Sequence, residues 1–306
     1  MRNEADGRGA ASCENANRVS DVVRRRRGVG GALVHLWAYA GIALAVGVAA
    51  ALFGYVFFKG FSTLSWEFLT EAPSGLILGE EGGIFPAIVG SFWFTTTAVV
   101  LGGIPAIATA VYMVFYCRRP RLEGAMRLVI QCLAGVPSIV LGLFAYSFLV
   151  RDVGWGRCVL SGGVALALMV LPFIEVRAEK AFRELPRSMV RSSYALGCTR
   201  LHTVLRIALP ACRGELVSAL VLGACYACGA TAPLMFTGAV AFAGLPSSVF
   251  EPAMALPMHL YLLVAQGGSS LDTAFGTAFV MMAIVLASSL VATVYARRSQ
   301  EKWGRS

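Results

Sequence analysis

The chain has 306 residues, of which 57% are hydrophobic and only 14% are charged. A soluble domain carries roughly one charged residue in four, so this composition excludes an ordinary soluble enzyme and indicates a protein that crosses a membrane several times. The net charge of +9 could suit nucleic acid, but the basic run Arg24–Arg27 stands directly before an apolar stretch, which is typical of membrane anchoring. We therefore predict no nucleic-acid partner.

Residues 1–30 are mostly polar and lack a hydrophobic period, so we predict a disordered tail on the cytoplasmic side. A spanning helix needs roughly 20 mostly apolar residues. The first such stretch is longer than the roughly 7–15 apolar residues of a signal peptide, which favours an uncleaved anchor. We predict an all-α integral membrane protein with six transmembrane helices, over residues 31–58, 86–116, 128–150, 158–176, 215–241 and 273–296.

The positions of Lys and Arg predict the orientation. All but three of the 26 lie before the first span, between the second and third, between the fourth and fifth, or in the tail 297–306. The exceptions are Lys59, Arg151 and Arg157. Because cytoplasmic loops carry the excess of basic residues, both termini and the loop 186–210 are predicted to be cytoplasmic.

The loop 186–210 is a basic amphipathic segment for which we predict a helix-turn-helix. Ser188 is a suitable N-cap for the first helix, Gly197 a suitable left-handed C-cap, and Thr199 can cap a second helix that reaches Pro210. A solvated loop is the alternative from the residues alone. The second helix carries one apolar stripe that needs a partner, formed by Leu201, Val204, Leu205 and Ala208.

The spacing within this loop resembles a known signature. Gly197 is followed, after nine residues, by Ile207-Ala208-Leu209-Pro210, similar to the Gly-x9-Ile-x-Leu-Pro half of the loop signature of bacterial ABC import permeases. The Glu-Ala-Ala that usually opens the signature is replaced by Arg191-Ser192-Ser193. The resemblance implies a coupling loop that docks on a separate ATPase through Arg191, Ser192, Ser193, Gly197, Ile207, Leu209 and Pro210.

Further blocks resemble the phosphate-import permeases of the PstA type. They comprise Gly-Gly-Ile-x-Pro-Ala-Ile-x-Gly from Gly82, Ala-Gly-x-Pro-Ser-x-x-x-Gly-Leu-Phe from Ala134, Gly-x-Thr-Ala-Pro-Leu from Gly229, and Ala-Leu-Pro-x-x-x-Tyr from Ala255. The resemblance spans residues 82–296 and implies an ABC permease transmembrane domain of the MetI-like type I fold.

A translocation path is predicted from the same blocks. Where the phosphate permeases carry Glu and Arg, this chain has Ala230 and Tyr226, so an oxyanion would be met by backbone N–H groups, hydroxyls and helix ends. From the residues alone, Pro137 could equally be a packing kink. The residues predicted to line the path are Pro137, Ser138, Tyr226, Ala230, Thr231 and Pro233.

The resemblance implies import of inorganic phosphate across the bacterial inner membrane. The sequence contains no Gly-x-x-x-x-Gly-Lys-Ser/Thr loop, so a separate subunit is expected to use ATP and Mg, and this chain to bind no cofactor. The implied partners are a second homologous permease subunit, two copies of a cytoplasmic ATPase, an extracytoplasmic solute-binding protein and the lipid bilayer. Another oxyanion, or a degenerate permease acting as a sensor or scaffold, is the alternative.

A membrane-embedded enzyme or metal protein has little support in the sequence. The three histidines, His35, His202 and His259, are scattered, and no carboxylate pair lies within a predicted span. Among the eight cysteines, Cys225-x-x-Cys228 lies in the fifth span without a second such pair. Small-residue helix packing explains this pair better than a metal site does, so we predict no metal.

Overall fold

We describe the fold from a computed structural model of the chain, which describes residues 34–74, 78–268 and 270–302. The predicted N-terminal tail, residues 1–30, lies outside this part of the chain, as do residues 303–306 of the predicted C-terminal tail. The chain divides into two compact units, residues 1–58 and 59–306.

Helix α1, Val34–Phe61, supplies the described part of the first unit and continues just past it. It has 28 residues and a mean hydropathy of 2.2. Its length of about 42 Å exceeds the roughly 30 Å of a bilayer core. A helix long and apolar enough to cross a bilayer therefore covers the described residues of the first predicted span.

The second unit is built almost entirely of helices, with one short antiparallel β-ribbon. Four of its helices are long and apolar enough to cross a membrane, namely Phe85–Tyr116, Val159–Arg183, Arg200–Cys228 and Ser270–Ser299. The elements are α2 (Trp66–Thr70), β1 (Pro73–Ser74), β2 (Glu81–Gly82), α3 (Phe85–Tyr116), α4 (Pro120–Gly135), α5 (Ser138–Asp152), α6 (Val159–Arg183), α7 (Arg187–Ala195), α8 (Arg200–Cys228), α9 (Ala232–Thr237), α10 (Leu256–Gln266) and α11 (Ser270–Lys302).

The predicted third span, residues 128–150, is not one straight helix. Helices α4 and α5 meet there at an angle of 95° and qualify as a sixth span only when the bent pair is counted as one. Pro137 has no N–H group and disfavours a helical conformation in the residue before it. Val136 is accordingly extended, with ψ of 127°. The prediction of six spans thus corresponds to five long helices and one broken pair.

The predicted fifth span, residues 215–241, differs from the observed helix at both ends. Helix α8 begins at Arg200, passes through Pro210 without a break and ends at Cys228. A π-helical turn, Val204–Ala208, directly precedes Pro210, and its wider hydrogen-bond spacing accommodates a residue that lacks an N–H group. The second helix of the predicted helix-turn-helix and the predicted fifth span are therefore one continuous helix, α8.

Two further helices extend beyond the C-terminal ends of their predicted spans. Helix α6 continues past residue 176 to Arg183, and α11 continues past residue 296 to Lys302. The second predicted span, by contrast, agrees with α3 to within one residue at its start and ends at the same residue. The additional turns of α6 are charged, so hydropathy alone excludes them.

Helix α6 is the centre of the packed unit. Of its most apolar window 67% is buried, against at most 39% for any other spanning helix described. Glycines allow its neighbours to approach: a Cβ at Gly162 would lie 2.6 Å from Phe94 Cε1 of α3, and one at Gly223 of α8 would lie 2.7 Å from Ile174 Cγ1. Helices α3 and α8 are therefore fixed against α6 by close contact.

Candidate functional site

The predicted helix-turn-helix is present as α7, a turn over residues 196–199 and the first turns of α8. Gly197 has φ of +79°, a conformation that costs other residues energy. Its N–H donates to Tyr194 O at 3.0 Å, and Cys198 N–H donates to Ser193 O at 3.2 Å. These two bonds form a Schellman motif, which confirms Gly197 as a left-handed C-cap. We call α7, this turn and residues 200–203 the hairpin.

One of the two predicted N-caps of the hairpin is confirmed. The Thr199 hydroxyl oxygen accepts a hydrogen bond from His202 N–H at 3.3 Å and caps α8. Helix α7, however, begins at Arg187 after Pro186, with no side-chain cap. Ser188 therefore lies inside the first turn, and its prediction as the N-cap is wrong. Pro186 fixes the extended chain before α7 through its restricted φ of −56°.

A buried pair of hydroxyls closes the hairpin. Ser193 Oγ lies 2.8 Å from Thr203 Oγ1, and the Thr203 hydroxyl donates to Thr199 O at 3.0 Å. Ser193 and Thr203 are 3% and 0% exposed. Of the predicted docking residues, Ser193 is therefore inside the hairpin and unavailable to a partner as it stands, whereas Arg191, Ser192 and Gly197 are exposed and Ile207, Leu209 and Pro210 are partly buried.

The predicted apolar stripe of α8 divides between two environments. Val204 and Ala208 are buried in the core of the same unit, but Leu201 is 59% and Leu205 52% exposed. Leu196, in the turn, is 83% exposed. The tip of the hairpin thus presents large apolar side chains that nothing in the described chain covers.

A network of four charged side chains ties α4 to the end of α6, directly before the hairpin. Glu179 Oε1 accepts from Arg127 Nη2 and from Arg183 Nε, both at 2.7 Å. Glu123 Oε1 accepts from Arg183 Nη2 at 2.6 Å and from Arg127 Nη2 at 3.4 Å. We call these four residues the clasp. Glu179, at 10% exposure, is its most buried member.

Removing Glu179 should destabilise the protein. Glu179→Ala leaves the guanidiniums of Arg127 and Arg183 without their shared acceptor in a partly buried site, and we expect a loss of roughly 1–3 kcal/mol in the free energy of unfolding. Glu184→Ala is the matched control, since its pair with Lys180 is 3.8 Å long and exposed. Denaturation in detergent measures both. Equal losses in the two variants would show that the clasp does not hold α4 to α6.

Helix α5, which begins at two of the predicted path residues, packs against α9, which carries a third. Pro137 and Ser138 begin α5, and Pro233 lies in α9. A Cβ at Gly142 of α5 would lie 2.8 Å from Pro233 Cα, so the two short helices touch backbone to backbone. Gly135, at the end of α4, has nothing within 4 Å of its Cβ position.

The other predicted path residues have different neighbours. The Thr231 hydroxyl donates to Pro257 O at 3.5 Å, and Ala230 packs against the core around α6. Tyr226 is 51% exposed and stacks on Phe173 of α6, with ring centroids 5.7 Å apart. Tyr226 thus makes its ring contact with α6 rather than with the helix break.

A cavity of about 380 Å³ between α3, α8, α10 and α11 was missed in the sequence. Its wall is mostly apolar, and the consecutive threonines of α3 were the signal that could have indicated it. Among the described residues, no three His, Cys, Asp or Glu side chains are grouped to hold a metal. The polar groups on the wall of this cavity are the hydroxyls of Ser91, Thr95, Thr96 and Ser288 and the thiols of Cys225 and Cys228.

Two charged residues of α6, Glu175 and Arg177, are not among the site residues predicted from the sequence. Glu175 is 1% exposed, and neither of its carboxyl oxygens has a hydrogen-bond partner among the described residues. The Arg177 guanidinium carbon lies 4.5 Å from the centroid of the Phe173 ring. The central helix therefore carries a buried acid and an exposed base one turn before the clasp.

Sequence comparisons identify relatives over most of the chain. Residues 106–303 match the family described as binding-protein-dependent transport system inner membrane component. The probable phosphate transport system permease protein PstA of Methanocaldococcus jannaschii is 33% identical over 68% of this chain and 74% of its own length. The probable ABC transporter permease protein YqgI of Bacillus subtilis is 28% identical over 74% of this chain and 80% of its own.

Solved structures show the same fold at low identity. An inward-facing MetNI methionine ABC transporter matches with a TM-score of 0.57 at 17% identity, over 71% of this chain and 97% of that chain. A bacterial alginate ABC transporter in complex with a periplasmic protein matches at 0.55 and 13%, over 87% and 93%. These likenesses confirm the predicted MetI-like fold. Together with the family match, they show that this chain belongs to the binding-protein-dependent transport system inner membrane components, as an ABC import permease subunit of the PstA type.

Proposed function

We propose that this permease subunit imports inorganic phosphate. The observation that carries the proposal is the likeness to phosphate transport permeases named PstA, one of them 33% identical over two thirds of this chain. In this proposal, an extracytoplasmic binding protein delivers phosphate, a second permease subunit completes the path, and two copies of an ATPase subunit hydrolyse ATP with Mg. The alginate transporter solved with its periplasmic protein supports the binding-protein partner in kind.

The hairpin is the proposed contact with the ATPase. Its tip exposes Leu196 and Leu201, with Arg191 exposed on α7, which suits a groove that is apolar at its centre and acidic at its rim. The hairpin begins at Arg187, four residues after Arg183, the member of the clasp that ends α6. A displacement of the hairpin would therefore reach α6 directly and α4 through Glu179.

The bend between α4 and α5 is the proposed point at which the displaced helices contact the solute. Helix α4 ends at Gly135, and the 95° turn leads to Pro137 and Ser138. Because irregular backbone inside a membrane is tolerated where it lines a cavity or is buried in protein, the break and the segment around Thr231 and Pro233 suit a path. Tyr226 and Ala230 are assigned to the same path by their positions in the sequence block.

A different oxyanion is the second candidate. The neutral Tyr226 and Ala230 stand where the phosphate permeases carry Arg and Glu, so the solute would be held differently in this chain. The same departure would also suit a degenerate permease that senses rather than transports.

The test is uptake into proteoliposomes that contain this chain with its partner permease, its ATPase and its binding protein. We expect ATP-dependent accumulation of radiolabelled phosphate that excess sulfate, molybdate or methionine does not suppress. An ATPase variant that cannot hydrolyse ATP is the control. ATP-driven uptake of sulfate or molybdate in place of phosphate would select the second candidate, and no uptake of any oxyanion would favour the sensor.

We also place both termini in the cytoplasm of the cell that bears this inner-membrane protein. The proposal is supported by the basic residues, which leave only Lys59, Arg151 and Arg157 on the other side. A fluorescent-protein fusion after Ser306 should fluoresce, and an alkaline-phosphatase fusion after Glu81 should be active. The reverse pattern would invert the topology and remove the hairpin from the ATPase side.

A further inference from the structure

A three-layer stack joins α6 to α8 on an exposed face of the bundle. The Arg177 guanidinium lies over the Phe173 ring at 4.5 Å, and the Phe173 ring stacks on Tyr226 at 5.7 Å with an interplanar angle of 26°. Arg177 and Phe173 are one turn apart on α6, and Tyr226 is in the last turns of α8. The stack therefore places a cation one aromatic ring away from Tyr226.

The Arg177 backbone lies near the end of the span, and its guanidinium lies further inside, over Phe173. At about 1.5 Å per residue, Phe173 lies about 21 Å and Arg177 about 27 Å along α6 from Val159, whereas a bilayer core is roughly 30 Å thick. A basic side chain near a helix end can extend outward to the headgroups. Arg177 instead folds back over Phe173, towards the middle of the membrane.

The exposed face that carries this cation does not suit lipid. A charged side chain at membrane depth is costly unless it faces protein or a water-filled cavity. Arg177 makes no ion pair with any residue in the described part of the chain. It also borders a polar cavity of about 270 Å³, shared with Lys180, Glu184 and Glu215, which gives water a route to it.

An unpaired guanidinium suits an anion. It presents five N–H donors in a planar fork that matches two oxygens of one oxyanion. The aromatic ring beneath it restricts its orientation and attracts its positive charge. Held in this way, the fork can meet a solute without first reordering a flexible side chain.

We propose that Arg177, held over the Phe173 ring that stacks on Tyr226, is the residue that binds the oxyanion solute on its passage through the membrane. This inference rests on the proposed function as an oxyanion importer. It supplies the fixed cation that the positions of Tyr226 and Ala230 lack. Arg177 is thereby a specificity-determining residue, and Phe173 is the positioning residue that holds it.

The experiment compares phosphate uptake by proteoliposomes containing Arg177→Gln, Arg177→Lys, Phe173→Leu and Lys180→Gln. We expect Arg177→Gln to lower uptake at low phosphate by at least about tenfold, since it removes a hydrogen bond between charged groups. Arg177→Lys should keep the charge and raise KM several-fold, as should Phe173→Leu. Lys180→Gln, one turn further along α6, should stay within about twofold of the wild type. Complex recovery and stability in detergent are measured for each variant.

The outcomes separate this inference from the proposed function. If the wild type imports phosphate and Arg177→Gln behaves as Lys180→Gln does, the inference is overturned while the function stands. If the wild type imports another oxyanion, the same variants are compared with that oxyanion. If Arg177→Gln does not assemble, Arg177→Lys decides, because an unchanged KM would contradict a binding role. A wild type that imports no anion overturns both.

Discussion

Gly197→Val should abolish ATP-dependent uptake while leaving membrane insertion intact. The space around Gly197 is open, with nothing within 4 Å of a Cβ, so the effect comes from the backbone alone. A left-handed φ of +79° costs a β-branched residue more than the roughly 1 kcal/mol usual for non-glycine residues. We expect the Schellman turn to open and the exposed tip to change shape. Uptake and co-purification with the ATPase measure the effect.

Two controls isolate the backbone effect at Gly197. Gly197→Asn should retain much of the activity, because Asn tolerates the left-handed conformation better than other side chains. Gly124→Val places the same side chain in equally open space without a positive φ, and it should couple normally. Full uptake and normal ATPase recovery in Gly197→Val would remove the hairpin from the coupling mechanism.

Gly142→Val should greatly reduce the yield of folded protein. A Cβ at this position would lie 2.8 Å from Pro233 Cα and 3.2 Å from Ala232 O, and backbone atoms cannot move aside as a flexible side chain can. Overpacking of this kind typically costs about 1–3 kcal/mol, and here it separates α5 from α9. Thermal unfolding in detergent and recovery after size exclusion measure the loss.

The matched control lies in the same broken span. Gly135→Val introduces the same side chain where nothing lies within 4 Å. We expect near-wild-type recovery for Gly135→Val. If both variants were recovered equally well, the close approach of Gly142 and Pro233 would not be a determinant of the fold.

Hydropathy predicted the span of α3 closely because its two ends coincide with the change from apolar to polar residues. It failed for α6, whose charged last turns are held by the clasp between Glu179, Arg127 and Arg183, a contact between helices far apart in sequence. It also failed at Pro210, where the π-helical turn lets α8 continue. At Pro137 the sequence indicated a kink, but it did not predict the angle of 95° between α4 and α5.

The residues of the candidate site also differ in whether the sequence could predict them. Gly197 could be predicted because a left-handed turn between two amphipathic helices strongly favours glycine. Arg177 and Phe173 could not, because their relation to Tyr226 exists only once α6 and α8 are packed together. Ser193 was assigned to docking from its place in the loop signature, and its burial against Thr203 follows from the closing of the hairpin.

The most direct test of the coupling assignment is site-specific photo-crosslinking in the assembled transporter. A photoreactive amino acid is placed at Leu196, which is 83% exposed at the hairpin tip, and separately at Trp66, which is 79% exposed after the first span. We predict that Leu196 crosslinks to the ATPase subunit and Trp66 does not. A crosslink from Trp66 to the ATPase, or none from Leu196 in a complex that hydrolyses ATP and takes up solute, would contradict the account.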